Sequence, residues 1–270
     1  MKAMDFRDRW VLVTGASSGL GRQMAKLLAT EYGAKVLAVA RRADRLAELG
    51  AEVAAAGGGT IVPITADLSK LAEVDRAVRE ATEGRTIYGA ILNAGVTHFG
   101  DYHELTWEGF EGMLATNVTS VVRMVTDLVP HIEKGAEGGG LLIVSSMAGL
   151  TPVPYQTAYS ATKAFLVNFG CGLYHELRGR NVSVTTFVPG GIKTEMTSTS
   201  RFEKLSGYLM PVDVCAREAL EGFRRRRYLH TPGVMNRVGV TLMRFLPQEL
   251  LTGRVAATYR GSLEASRRKA

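Results

Sequence analysis

The sequence predicts a doubly wound α/β fold: a mostly parallel sheet covered by helices on both faces. Three observations point there. Short, nearly continuous apolar strands recur, helical stretches separate them, and no linker interrupts the alternation. Trp10–Thr14 reads as the first strand and Gly21–Tyr32 as the helix after it, with Met24, Leu27 and Leu28 at helical spacing. Lys35–Ala40 is the second strand and Ala43–Ala56 the second helix. Thr60–Thr65, Gly89–Asn93, Leu141–Ser145 and Val182–Val188 supply further strands. Leu71–Glu83, Thr106–Glu133 and Thr157–Leu177 are the helices between them. The glycine runs 57–59 and 138–140 are turns before strands. Right-handed crossovers then wind the sheet in both directions.

Beyond Pro189 the alternation loosens. Residues 194–210 read as a polar, irregular substrate-binding loop that closes over a ligand. Pro211–Arg225 is a helix and Tyr228–Thr231 an edge strand. A short C-terminal helical extension, about 235–260, is broken at Pro247. All 270 residues form one domain.

Composition excludes several classes. Hydrophobic residues are 46% and charged residues 22%, ordinary for a globular protein. The two cysteines, Cys171 and Cys215, have no metal-ligand spacing and read as buried thiols of a reduced, cytoplasmic setting. No metal site is expected. The net charge of +7 draws on Arg224–Arg227 and Arg267–Lys269. These read as a solvated helix end and a frayed tail, because no aromatics interleave them and no nucleic-acid motif appears. No apolar run reaches the length of a membrane span, and the first residues lack the apolar core of a signal peptide.

Chemistry is expected at the carboxyl edge of the sheet. The first strand runs into Gly15-Ala16-Ser17-Ser18-Gly19-Leu20-Gly21 and then a helix. Glycines let a pyrophosphate approach the backbone, and the helix N-terminus offers free amides. A structural tight turn is the alternative. The second strand ends at Ala40 where an NAD-binding unit carries an acid, and Arg41-Arg42 follow. We read Arg41 as a ligand of a 2′-phosphate. For Arg42 that role and a solvated helix opening stand equally. The expected cofactor is NADP(H), with NAD(H) possible.

Tyr159 and Lys163 lie four apart on one helical face. A nearby ammonium favours phenolate and would lower the tyrosine pKa, making Tyr159 a candidate acid/base. A helix surface pair is the alternative. Ser146, thirteen residues before Tyr159, could hold the same substrate oxygen, while Ser145 could cap the turn. Asn93-Ala94-Gly95 follow the fourth strand. Asn117 sits mid-helix, where asparagine is a poor helix former; a local hydrogen bond that kinks the helix is the plain explanation.

Together these motifs resemble the short-chain dehydrogenase/reductase family, of the compact single-domain type. The resemblance runs from Trp10 to about Thr194: TGASSGLG at Thr14–Gly21, Asp67-Leu68, LNAG at Leu92–Gly95, Asn117, Ser146, YSATK at Tyr159–Lys163 and PGGIKT at Pro189–Thr194. It departs from the family in reading Leu92 where a second asparagine is usual. It implies a Rossmann fold and a hydride transfer between NADP(H) and a ketone or secondary alcohol. Tyr159 would be the acid/base, Lys163 would lower its pKa and hold the nicotinamide ribose, and Ser146 would orient the substrate oxygen. Asn117 would support a water relay through Lys163. Asp67 would contact the adenine, Asn93 the adjacent ribose region, and Ile192 with Thr194 the nicotinamide amide. Pro189 and Gly190 belong to the same cofactor-binding turn. A cofactor-sensing regulatory protein, or a sugar-nucleotide epimerase, is the alternative on such a fold. Leu150, Val153, Pro154, Tyr155, Phe202, Leu205, Tyr208, Leu209 and Met210 suggest an apolar, carbonyl-reductase pocket. The family resemblance implies a homodimer or homotetramer through the 106–133 and 157–177 helices.

Overall fold

The computed structural model describes residues 1–135, 138–243 and 245–268; the side chains of residues 204, 205 and 208 also lie outside the description. Leu205, Tyr208 and Lys269 of the sequence reading therefore fall beyond it. Seven strands form one sheet in the order β3-β2-β1-β4-β5-β6-β7. They are β1 Trp10–Thr14, β2 Lys35–Ala40, β3 Ile61–Thr65, β4 Ile87–Leu92, β5 Gly139–Val144, β6 Val182–Phe187 and β7 Leu229–His230. Every pairing is parallel, including the short edge strand β7.

Strand side chains alternate between faces, so each strand feeds two cores. Val11, Val13, Val36 and Ala38 enter one core; Leu12, Leu37 and Val39 enter the other. Helices α1 Gly19–Thr30, α2 Ala43–Ala55 and a later helix, Val212–Arg224, cover the first core. Helices α3 Leu71–Thr82, α5 Ser120–Glu133 and α6 Thr157–Glu176 cover the second.

The predicted helix over 106–133 is not regular. Thr106 caps α4, Trp107–Leu114, its hydroxyl accepting from the Gly109 amide at 3.1 Å. A π-turn, Ala115–Thr119, then carries Asn117 before α5 begins. Asn117 disturbs the helix as its position suggested, and the extra residue of the turn aims its amide inward.

The end of the chain also differs from expectation. The Val212–Arg224 helix, α7, precedes β7, and α8 Val234–Met243 and α9 Gln248–Arg267 follow. The break falls at Pro247, but α9 runs past 260. The loop at 194–210 is not irregular: it forms 3-10 turns at Glu195–Thr197 and Ser200–Tyr208. Helix α9 straps it down. Ser262 donates to the Arg201 carbonyl at 2.6 Å, and the Ser200 and Ser266 hydroxyls meet at 2.8 Å. Phe99, Phe202 and Leu263 form a small core with Tyr155 and Tyr259 beside it.

The basic clusters need correction too. Arg267 is no frayed residue, for it grips Asp101 and Glu104, and Glu104 also holds Arg201 at 2.8 Å. Arg226 is not simply solvated. Half-buried and left-handed at φ 55°, it donates to the Gly139 carbonyl and the Ser183 hydroxyl, each at 2.6 Å. A planar guanidinium satisfies several acceptors at the amino edge of β5 that water cannot reach. Of the two free thiols, Cys215 is buried and Cys171 only partly so.

One side chain ties the carboxyl edge together. The Thr14 hydroxyl, 2% exposed, accepts the Asn93 amide at 2.9 Å and the Ala94 amide at 3.0 Å. It donates to the Ile91 carbonyl at 3.4 Å. Thr14→Val should therefore lower unfolding free energy by about 2 kcal/mol, because two amides lose their acceptor. Thr14→Ser should recover most of it. Urea denaturation of both variants checks this; equal stability of Val and wild type would contradict it.

Candidate active site

The strand ends open into one cleft of about 550 Å³. Its polar end is the glycine loop. Gly15 and Gly19 adopt φ of 70° and 55°, which side chains resist. A Cβ on Gly15 would stand 2.8 Å from Asn93 Nδ2. No side chain caps α1 and no acid lies in its first turn. Its leading amides and positive dipole end face the cleft, as an anion site requires. Gly21 does not line the cleft. A Cβ there would lie 2.4 Å from Asn93 Nδ2 and 2.5 Å from the Gly15 carbonyl oxygen, so its role is close packing.

The two arginines exchange emphasis. Both line the cleft with Ala40. Arg42 reaches the loop, donating to Ser18 Oγ at 2.7 Å and to Ser17 Oγ at 3.2 Å. It also pairs with Glu195 at 3.2 Å. Arg41 is exposed and acts on Asp67 through its charge. Burial would raise the Asp67 pKa, but hydrogen bonds from the Ser69 amide and hydroxyl, with the Arg41 charge, hold it below the ordinary value. Leu68, Ala94 and Gly95 line the same end.

Asn93 lines the cleft as well. Its Nδ2 donates to the Thr14 carbonyl at 3.0 Å, so its side chain fastens β4 to the glycine loop. Pro189, Gly190, Ile192 and Thr194 form the wall beyond β6. There the Met147 amide donates to the Pro189 carbonyl at 2.8 Å, and Ile192 pairs in parallel with Met210.

Ser146, Tyr159 and Lys163 stand together at the other end. Ser146 follows β5; its hydroxyl accepts from the Ala148 amide at 3.1 Å and lies close enough to the Tyr159 phenol to lower its pKa. Ser145 takes the structural part, donating to the Lys163 carbonyl at 2.7 Å. Lys163 is 4% exposed; its ammonium donates to the Val144 carbonyl at 3.0 Å and lies 5.8 Å from the centre of the Tyr159 ring. Asn117, fully buried, lies outside the cleft. Its amide accepts from the Val96 N–H at 2.8 Å and donates to the Val96 carbonyl at 2.9 Å and to Thr162 Oγ1 at 3.0 Å. It braces the β4 loop against α6.

The expected acidification of Tyr159 is absent in this protein on its own. Burial pushes the phenol up to about 12, against a lowering by Ser146, and the nearby Tyr259 adds to the rise. Burial also pulls Lys163 down to about 8. Desolvation penalises both charged forms.

Glu195 and Met196 of the expected 194–210 loop line the cleft. Sequence reasoning missed Asn236, Met243, Val255 and Tyr259, which also face it. No motif marks them, and only the fold brings the C-terminal helices over the site. Of the proposed apolar residues, Val153 and Phe202 line it; Leu150, Pro154, Tyr155, Leu209 and Met210 do not. Tyr155 instead accepts a hydrogen bond from Arg260 at 2.9 Å, and Met210 packs on the core.

Residues 9–204 match the family model of the short chain dehydrogenases. An uncharacterized oxidoreductase of Myxococcus xanthus is 39% identical over 203 residues, 75% of this chain and 78% of that one. A hydroxysteroid 11-beta-dehydrogenase 1-like protein of Gallus gallus is 37% identical over 193 residues, 68% of this chain and 64% of that one. Among solved structures, a short-chain dehydrogenase from Sphingobium yanoikuyae in complex with NADPH superposes with a TM-score of 0.77 at 28% identity, covering 89% of this chain and 97% of that one.

The buried ammonium carries a stability cost that can be measured. Lys163→Met should stabilise the fold at pH 7 by about 1–2 kcal/mol, the relief of desolvation less one lost hydrogen bond. The folded value of about 8 lies below the ordinary 10.5, so the unfolded chain holds the extra proton between them. Wild-type stability should then rise, from this group, as pH climbs from about 8 to 10.5, and the gap to the variant should narrow. Denaturant unfolding across that range checks it; a variant less stable at pH 7 would refute it.

Proposed function

The chain belongs to the short-chain dehydrogenase/reductase family, and on that premise we propose an NADP-preferring reductase of apolar ketones, or dehydrogenase of the matching alcohols. One observation carries this reading. The glycine loop with Arg42 and the Ser146–Tyr159 pair with Lys163 open into a single cleft. The residues fit a nicotinamide dinucleotide: uncapped α1 amides, a glycine cradle with no room for a Cβ, and cationic groups beside Ala40.

When bound, NADP(H) supplies or accepts the hydride at the substrate carbon. Tyr159 holds the proton. With its pKa pushed up to about 12, the phenol is protonated at neutral pH and ready to donate to a carbonyl oxygen. Ser146, beside that phenol in the same cleft, is placed to share the same oxygen. Lys163 is fixed by the Val144 carbonyl beside the Tyr159 ring and would hold the nicotinamide ribose. Asn117 positions the Gly95–Val96 turn beside Lys163 rather than touching substrate. Met196, Phe202, Met243, Val255 and Tyr259 give the substrate end an apolar wall. A pure cofactor sensor would need neither the tyrosine nor the buried lysine. Exposed Trp107, Leu114 and Phe165 on α4 and α6 support a homo-oligomer through those helices.

Tyr159→Phe keeps the ring and removes the proton. Ketone turnover with NADPH should fall by about two to four powers of ten, with cofactor affinity nearly unchanged. Turnover at the wild-type level would end the assignment.

Cofactor choice is tested by charge. Arg42→Ala should weaken NADPH by about ten- to a hundredfold, the contribution of one charge-assisted contact, and NADH far less. Ala40→Asp with Arg41→Ala and Arg42→Ala should erase or reverse the preference. The measurement is kcat/KM for both cofactors with one ketone. A wild type that prefers NADH would refute this reading and leave the Tyr159 chemistry standing.

A further inference from the structure

Helix α8 turns one face to the cleft and an apolar one outward. Asn236, Val240 and Met243, spaced four and three apart, face inward; Val240 is 9% exposed, and the other two line the cleft. Met235, Val238 and Leu242, spaced three and four, face out, and Phe245 follows the helix. They are 82%, 48%, 58% and 80% exposed, and Leu246 and Leu250 extend the stripe into α9. Large apolar side chains exposed together along one edge mark a docking face.

Charge identifies the partner. From Val234 to Arg260 the sequence holds four arginines, at 237, 244, 254 and 260, and one acid, Glu249. Arg237 bonds Glu218 and Arg260 bonds Tyr155, while Arg254 stands exposed one turn beyond Leu250. A second copy docked symmetrically through this edge would set the basic segment against itself. An anionic bilayer surface satisfies both features: its acyl boundary takes the stripe and its headgroups take the arginines.

We propose that the α8–α9 edge docks this protein peripherally on anionic membrane surfaces. The helix would then lie in the interface plane. Its inner face walls the substrate end of the cleft, so docking brings that wall to within one helix diameter of the acyl boundary. This gives an apolar substrate a short route from lipid to cleft. The docking claim itself needs no turnover and does not depend on the catalytic reading.

The test is flotation of the full chain with vesicles of phosphatidylcholine plus phosphatidylserine, against phosphatidylcholine alone. The protein should float with the anionic vesicles and be released by salt. Met235→Glu with Phe245→Glu should weaken partitioning by about tenfold or more, with the thermal midpoint held. Should that double variant fail to fold, Arg254→Glu must weaken binding to anionic vesicles on its own. Failure of the wild type to float, equal binding by a folded double variant, or a wild-type oligomer that the double variant dissolves would each overturn the proposal. In the last case the stripe joins copies of this chain.

Discussion

The clasp between Thr14 and Asn93 governs the rest of the site. A parallel sheet places its strand ends side by side but does not hold the loops that leave them. Here the Thr14 hydroxyl takes the two amides that follow β4, and Asn93 returns a bond to the Thr14 carbonyl. Gly15 and Gly21 close on the Asn93 amide with no room for a Cβ. The glycine loop and the β4 turn are thus fastened together. The next turn is held in the same manner, by Asn117 on Val96 and Thr162. Each clasp is a polar side chain buried with its bonds satisfied, where a lost partner costs far more than a made bond contributes.

Beneath that edge the protein keeps two groups in environments that oppose their charge. Tyr159 is pushed up and Lys163 pulled down by the same burial. A scaffold optimised for stability alone would place an apolar residue at 163. The retained lysine makes this the locus where stability is given up for a site, as buried ionisable groups beside a cleft commonly signify. The single carbonyl that anchors its ammonium is at the end of β5, so the strand positions the charge without neutralising it.

The C-terminal helices complete the wall of the cleft from outside the region that matches the family model. Helix α9 holds the 3-10 turns of the loop through Ser262, Arg267 and the Phe99–Phe202–Tyr259 cluster. The Arg42–Glu195 pair ties the other end of that loop to the cofactor side. Surface pairs contribute little energy singly. They nonetheless set which way the loop faces, while the small aromatic core supplies the cohesion.

Local pattern was enough for the strands, the parallel sheet and the order of the motifs. Period-two and period-3.6 spacing depend on neighbours in the chain, and so does a glycine loop between β1 and α1. The π-turn at Asn117 was visible as a poor helix former within an apolar helix. The side-chain partners were not. Nothing near Arg42 in the sequence announces Glu195, 153 residues away, and nothing near Asn93 announces Thr14. The basic residues at 226 and 267 resemble solvent-facing charge until the fold supplies their acceptors. The direction of the Tyr159 shift likewise depends on how much water the packed cleft excludes, against a lysine four residues away that the sequence does show. By itself, then, the sequence determined the sheet and the order of the motifs along its carboxyl edge, because those follow from local periodicity and spacing. The partners, the pKa directions and the α8–α9 wall were decided only by the tertiary structure, because burial and contact are properties of residues far apart in the chain.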